Sequence, residues 1–189
     1  MVSYNVGMGQ PVSAAAFREA LAHFASGVTV VAANGPAGPA GLTATGFTSV
    51  SIAPPLILVC ISKDASAHEA IVGAAHFGVS ILDERQAWIA LQFARRNVDR
   101  FEGVGLVHGA TGRAPLVGEA LAHIECRSSA CHDGGDHTIL VGEVLEASVG
   151  AGRPLLHFAR RFGAFLAELP QRAVAMSAPA TEEPKEGHE

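Results

Sequence analysis

The sequence predicts a mainly β fold with peripheral helices, a β-barrel carrying added helices. Short β-branched or apolar runs recur along the chain: GVTVVAA at Gly27–Ala33, LILVCI at Leu56–Ile61, FGVSIL at Phe77–Leu82 and TILVGEV after His137. Helical patterns are few and do not alternate with the strands as βαβ units would. At 189 residues the chain fits one domain with a real core.

Taken in order, residues 1–12 are an N-terminal extension and 13–170 form the domain. Ser13 can cap a helix over Ser13–Ala25, with Phe17, Leu21 and Phe24 on one face, a stripe expected to pack on a sheet. Strands follow at Gly27–Ala33 and Leu42–Ile52, joined by NGPAGPAG, which reads as an irregular loop. After the strand Leu56–Ile61 come a helix at Asp64–Ala75, the strand Phe77–Leu82 and a helix at Glu84–Ala94. Arg95–Ala114 reads as Gly-rich loop, Leu121–Cys126 and Thr138–Ser148 as strands, and Pro154–Leu169 as a strand followed by a short helix. From residue 171 to 189 the composition turns to Ala, Pro and Glu, the pattern of a disordered tail.

Hydrophobic residues make up 49% and charged ones 16%, with mean hydropathy +0.28, so apolar surface covered by a partner subunit is expected. The net charge of −5 and scattered basic residues leave no stripe for nucleic acid. No apolar run reaches the roughly 18 residues of a membrane span. Three cysteines, an odd count, and no signal-peptide pattern at the start lead to the expectation of a reduced, cytoplasmic protein.

Metal-type residues crowd CHDGGDH at Cys131–His137. Cys126 and Cys131 have zinc-like spacing, yet an odd separation points them to opposite faces of a strand unless a bulge intervenes, and no second ligand pair follows. The plain alternative is a polar hairpin turn whose glycines permit positive φ. A second feature is GLTATGFTSVS at Gly41–Ser51, whose hydroxyls and backbone N–H groups can cradle a phosphate or the polar edge of a heterocycle, with Gly41 and Gly46 allowing close approach.

GVTVVAA, GLTATGFTSVSIAPPLILVCISKDASAHEAI, FGVSIL, FARRNVDRF, PLVGEALAHIECR and GDHTILVGEV, in that order, resemble the flavin reductase family, from about Phe17 to about Phe165. The resemblance implies an FMN-binding split β-barrel that holds FMN or FAD at a homodimer interface and takes hydride from NADH or NADPH. It also implies delivery of reduced flavin to a partner monooxygenase. By position, Thr43, Ala44, Thr45, Ser49, Val50 and Ser51 resemble the stretch beside the isoalloxazine edge and ribityl chain, and Cys60, Ile61 and Ser62 the next strand of that pocket. Lys63 and Ser66 lie where the family places phosphate contacts at a helix start. Phe93, Arg95 and Arg96 resemble the segment closing over the flavin tail.

Gly135, Asp136 and His137 match the family's Gly-Asp-His motif on the nicotinamide side, where Asp136 would fix the loop through backbone N–H groups and His137 would position the dinucleotide without shuttling a proton. Cys131, His132 and Asp133 are then bystanders. Phe162 stands where many members carry a Tyr, so that hydroxyl is absent. Two other readings stay open: a flavin-binding protein without appreciable turnover, and a metal-binding protein using Cys131, His132 and His137.

Overall fold

The computed structural model describes residues 11–165; the N-terminal extension up to residue 10 and the expected tail from 171 lie outside the described residues. In chain order the elements are α1 (Ala14–Ala22), β1 (Ser26–Gly27), β2 (Thr29–Gly35), β3 (Gly38–Ala44), β4 (Phe47–Ser51), β5 (Leu56–Ser62), α2 (His68–Val72) and β6 (His76–Ile81). A 3-10 turn at Glu84–Gln86 then leads into α3 (Ala87–Ala94), β7 (Leu106–His108), β8 (Pro115–Val117), β9 (Ala122–Gly134), β10 (His137–Val149), β11 (Leu155–Phe158) and β12 (Arg161–Ala164).

Seven strands form one antiparallel sheet in the order β3-β2-β6-β9-β10-β5-β4. Its two outermost strands are consecutive in the chain, separated only by Thr45 and Gly46, so the sheet must curl until its ends share a corner. A backbone bond from Cys60 N–H to Gly46 carbonyl, 2.8 Å long, fastens that corner to β5. Inside the curl, Leu42 and Ala44 of β3 pack with Ile57, Val59 and Ile61 of β5, Phe77 and Val79 of β6, Cys126 and Leu140. This is the expected barrel.

β2 shows why its sequence is apolar at every step from Val30 to Ala33. Val31 and Ala33 face the barrel interior, while Val30 and Ala32 face a second layer holding Ile89, Ala90 and Phe93 of α3. A strand buried on both faces has no polar side to alternate with. Asp83 anchors that second layer: its buried carboxylate caps the 3-10 turn by accepting from Arg85 N–H at 3.0 Å and also accepts from Arg153 N–H at 3.3 Å.

Several expected elements differ. NGPAGPAG is no irregular loop: β2 and β3 pair to Gly35–Gly38 around a two-residue turn, and Pro39 is tolerated because β3 is an outer strand that needs no donor on its free side. Leu42–Ile52 is not one strand, since the barrel corner at Thr45–Gly46 divides it between opposite ends of the sheet. The helix expected over Asp64–Ala75 shrinks to His68–Val72, and Arg95–Ala114 contains β7. Pro154–Leu169 begins as the hairpin β11–β12 instead of a strand and helix, and residues beyond 165 lie outside the described range.

α1 forms as expected, with Ser13 Oγ accepting from Ala16 N–H at 3.2 Å. Its apolar stripe packs on no sheet among the described residues, where Phe17, Leu21 and Phe24 remain 54%, 53% and 74% exposed. α1 is held instead at its polar side, by Arg160 to Glu19 at 2.7 Å and by Ala159 N–H to Ala22 carbonyl at 2.7 Å.

Packing inside the barrel is tightest where Gly142 of β10 faces the fully buried ring of Phe77. A Cβ at Gly142 would lie 2.8 Å from Phe77 Cε1 and 2.9 Å from Cys126 Cβ, closer than real contacts allow. Gly142→Ala is therefore expected to cost about 1–3 kcal/mol by overpacking, read as a lower urea midpoint with an unchanged m-value.

Candidate functional site

The alternation of β5 builds two surfaces from one strand. Ile57, Val59 and Ile61 point into the barrel, so Cys60 and Ser62 must point out. The outward pair lies on an open cleft of about 420 Å³, within the roughly 300–1,000 Å³ usual for small-molecule sites. Around it stand Thr43 and Ala44 at the end of β3, the corner Thr45–Gly46, Phe93 and Ala94 at the end of α3, Arg96, Arg100, and His137 at the start of β10.

Of the sequence-derived candidates, Thr43, Ala44, Thr45, Cys60, Ser62, Phe93, Arg96 and His137 are brought together on this cleft. Ile61 is not: its side chain is wholly buried in the barrel, as the parity of β5 requires. Ser49, Val50 and Ser51 lie on β4 beyond the corner, outside the cleft wall, with Val50 51% exposed. Arg95 caps α3 and turns its carbonyl, not its guanidinium, to the site's support. Ser66 lines a smaller neighbouring cavity of about 220 Å³. Neither Lys63 nor Ser66 starts a helix, because α2 begins only at His68.

Hydroxyl density proved less informative than it looked. Thr43 Oγ1 donates to Ala90 carbonyl at 2.7 Å, tying β3 to α3. Gly41 makes room for protein and not for a ligand, since a Cβ there would sit 2.8 Å from Phe93 Cε1 and 3.1 Å from Phe101 Cζ. Phe93 and Phe101 meet edge to face at 4.9 Å, holding the end of α3 against β3.

Arg100 was missed by motif reading. Its guanidinium donates from Nε and Nη2 to Arg95 carbonyl at 2.9 and 2.8 Å, and from Nη1 to Gly41 carbonyl at 3.1 Å. These acceptors are neutral, and among the described residues neither Arg96 nor Arg100 has a carboxylate partner. Burial pulls the Arg100 pKa below its usual value, yet a guanidinium stays charged. With three of five N–H groups used, a rigid fork remains to offer an anion. The only sequence signal was a third arginine in FARRNVDR.

Of the Gly-Asp-His motif, His137 lines the cleft, and Gly135 and Asp136 form the turn before it. β9 runs further than expected, through Gly134, so Cys131, His132 and Asp133 lie in strand and only Gly135 and Asp136 form the turn. Gly135 adopts φ +77°, a conformation that favours glycine. Asp136 does not fix the loop through backbone donors as expected. Its carboxylate accepts from His137 Nδ1 at 2.7 Å, which holds the Asp136 carboxyl below its usual pKa and leaves Nε2 as the ring nitrogen open to a ligand. Asp133 is no bystander either, for Lys63 Nζ binds its carboxylate, lowering that pKa, and also donates to Gly135 carbonyl at 2.6 Å.

A bulge does interrupt β9 between Cys126 and Cys131, where Ala130 and Ser128 face successive residues of β10. The two cysteines still part company: Cys126 is buried and Cys131 exposed. Burial, aided by Glu125, pushes the Cys126 thiol up to about 12, which keeps it neutral. Among the described residues no group of three His, Cys, Asp or Glu side chains is placed to hold a metal ion.

Residues 21–165 match the family model described as a flavin reductase like domain. The chain is 43% identical over 157 residues to the reductase component of 4-nitrophenol 4-monooxygenase/4-nitrocatechol 2-monooxygenase of Rhodococcus opacus, covering 83% of this chain and 84% of that one. It is 43% identical over 149 residues to the FMN reductase (NADH) SmoA of Agrobacterium fabrum, covering 79% and 84%. Among solved structures, the Streptomyces globisporus NADH:FAD oxidoreductase SgcE6, in complex with NAD and FAD fragments, superposes with TM-score 0.77 at 41% identity, over 82% of this chain and 93% of that chain. BorF, the flavin reductase component of a bacterial two-component tryptophan halogenase, gives TM-score 0.75 at 39% identity, over 80% and 98%.

Arg100→Met is expected to weaken binding of a phosphate-bearing ligand such as FMN about tenfold, through loss of charge-assisted hydrogen bonds, as read by fluorescence titration. Unchanged affinity would remove Arg100 from the site.

Proposed function

The chain belongs to the flavin reductase family, and from that premise we propose that it is an NAD(P)H:flavin oxidoreductase, reducing FMN or FAD by hydride transfer and supplying the reduced flavin to a partner monooxygenase. The observation that carries the proposal is the cleft itself. One wall is the barrel corner at Thr43–Gly46, and the lining also holds two arginines with no carboxylate partner among the described residues and a histidine oriented by Asp136.

These residues fit a flavin. A planar ring can lie along the neutral corner and against Cys60 and Ser62, while the phosphate end finds positive charge at Arg96 and Arg100. Flavin supplies the hydride acceptor and a reduced nicotinamide the donor, so the chain needs no general base. Its residues bind and align. Phe93 is fully buried and edge-packed, giving the cleft a fixed wall, and the Asp136 hydrogen bond restrains the His137 ring to one orientation for the nicotinamide. The Agrobacterium and Streptomyces relatives are named for NADH, and NADH is the donor proposed here.

The finer assembly belongs to the same proposal. A second copy covering α1 would bury Phe17, Leu21 and Phe24, which stay exposed among the described residues. No helix among the described residues is long and apolar enough to cross a membrane.

Mixing the purified chain with NADH and FMN or FAD and following nicotinamide absorbance tests the function directly. Rapid oxidation supports the reductase, whereas flavin binding without oxidation turns the protein into a carrier. His137→Ala is expected to raise KM for NADH and lower turnover only in part, with flavin affinity kept. Sedimentation of the same preparation as a dimer is the expected assembly result.

A further inference from the structure

The resemblance assigns Lys63 to the flavin phosphate, but its surroundings assign it elsewhere. Lys63 directly follows β5 and does not line the cleft. Its backbone N–H donates to Asp136 carbonyl at 3.0 Å, its Nζ donates to Gly135 carbonyl at 2.6 Å, and the same ammonium pairs with Asp133. Two of its three donors are thus committed to the hairpin tip. Among the described residues, every hydrogen bond that reaches residues 133–136 from outside the hairpin comes from Lys63.

The tip needs such a hold. Residues 131–136 are all exposed, and beyond His137, which pairs with Ser62, β10 has no further partner in β5. A glycine-containing turn with no buried side chain is easily displaced, and displacement of Asp136 would carry the hydrogen-bonded imidazole of His137 with it. We propose that Lys63 and Asp133 are positioning residues, an ion pair that clamps the Gly135–Asp136 turn and thereby sets where His137 meets the nicotinamide. This inference rests on the reductase reading for its consequence, but the clamp itself is a property of the ligand-free chain.

Because the pair is exposed, with Asp133 side chain 79% accessible, it adds little to global stability, and variants at either position keep the fold. Lys63→Met, Asp133→Asn, the double variant and Lys63→Arg are compared with the unaltered chain in three measurements: flavin Kd by fluorescence without nicotinamide, KM and kcat for NADH, and the imidazole nitrogen spectrum of His137 in the ligand-free protein. The expected result is a rise of about three- to tenfold in KM for NADH in each single variant, no further rise in the double, and partial recovery in Lys63→Arg. Flavin Kd stays within about twofold, and the His137 resonances shift or broaden in both single variants.

Weaker flavin binding in Lys63→Met would make Lys63 a phosphate ligand and overturn the clamp. So would Asp133→Asn with unchanged KM, or identical His137 resonances in all variants. Absence of NADH oxidation by the unaltered chain would defeat the reductase reading alone, since the imidazole spectrum still reports on the clamp.

Discussion

Everything in this structure that concerns a ligand depends on how β5 is fixed. Its hydrogen bonds run to β10 on one side and β4 on the other, and Cys60 N–H also holds the carbonyl of Gly46 at the corner where β3 becomes β4. That bond carries the β4–β5 ladder into the corner. Ile57, Val59 and Ile61 lie in the core, and the period of two then leaves Cys60 and Ser62 on the cleft side. A slip of one residue would exchange those sets, burying a serine and a thiol and exposing three aliphatic side chains, so core burial enforces the site's register.

The cleft's electrostatics follow from a second economy of partners. The two carboxylates of the Gly-Asp-His hairpin are engaged, Asp133 by Lys63 and Asp136 by His137. Among the described residues Arg100 is braced only by carbonyls, and a braced but unneutralised guanidinium keeps its field for whatever enters. Positive charge and an oriented imidazole on one cleft suit a molecule with a phosphate tail and a ring that must be met by a second ring.

Much of this was legible in the sequence where local pattern decides the outcome. The continuous apolar run of β2, the alternation of β5 and β10, the Ser13 cap and the Gly135 turn all express rules that act within a few residues. Blocks drawn from the family resemblance contribute Thr43, Ala44, Thr45, Cys60, Ser62, Phe93, Arg96 and His137 to the cleft lining. What escaped was set by distant partners. Asp133 and Lys63 are 70 positions apart, and nothing in CHDGGDH distinguishes an ion-paired aspartate from a solvated one. Arg100 earns its role from the carbonyls of Arg95 and Gly41, which no side-chain motif records. Ser49, Val50 and Ser51 were placed beside the isoalloxazine edge by the family resemblance; in the fold the corner at Thr45–Gly46 sets them on β4, apart from the cleft lining.

The central claim is that a flavin occupies the cleft between the barrel corner, the outward face of β5 and the arginines after α3. Amide hydrogen exchange of the chain with and without FMN tests it most directly. FMN is expected to add protection at residues 43–46, 60–62 and 94–100, with the groove beside Trp88, Leu106 and Glu119 unchanged. Protection confined to that groove, with the corner exchanging as before, would contradict it.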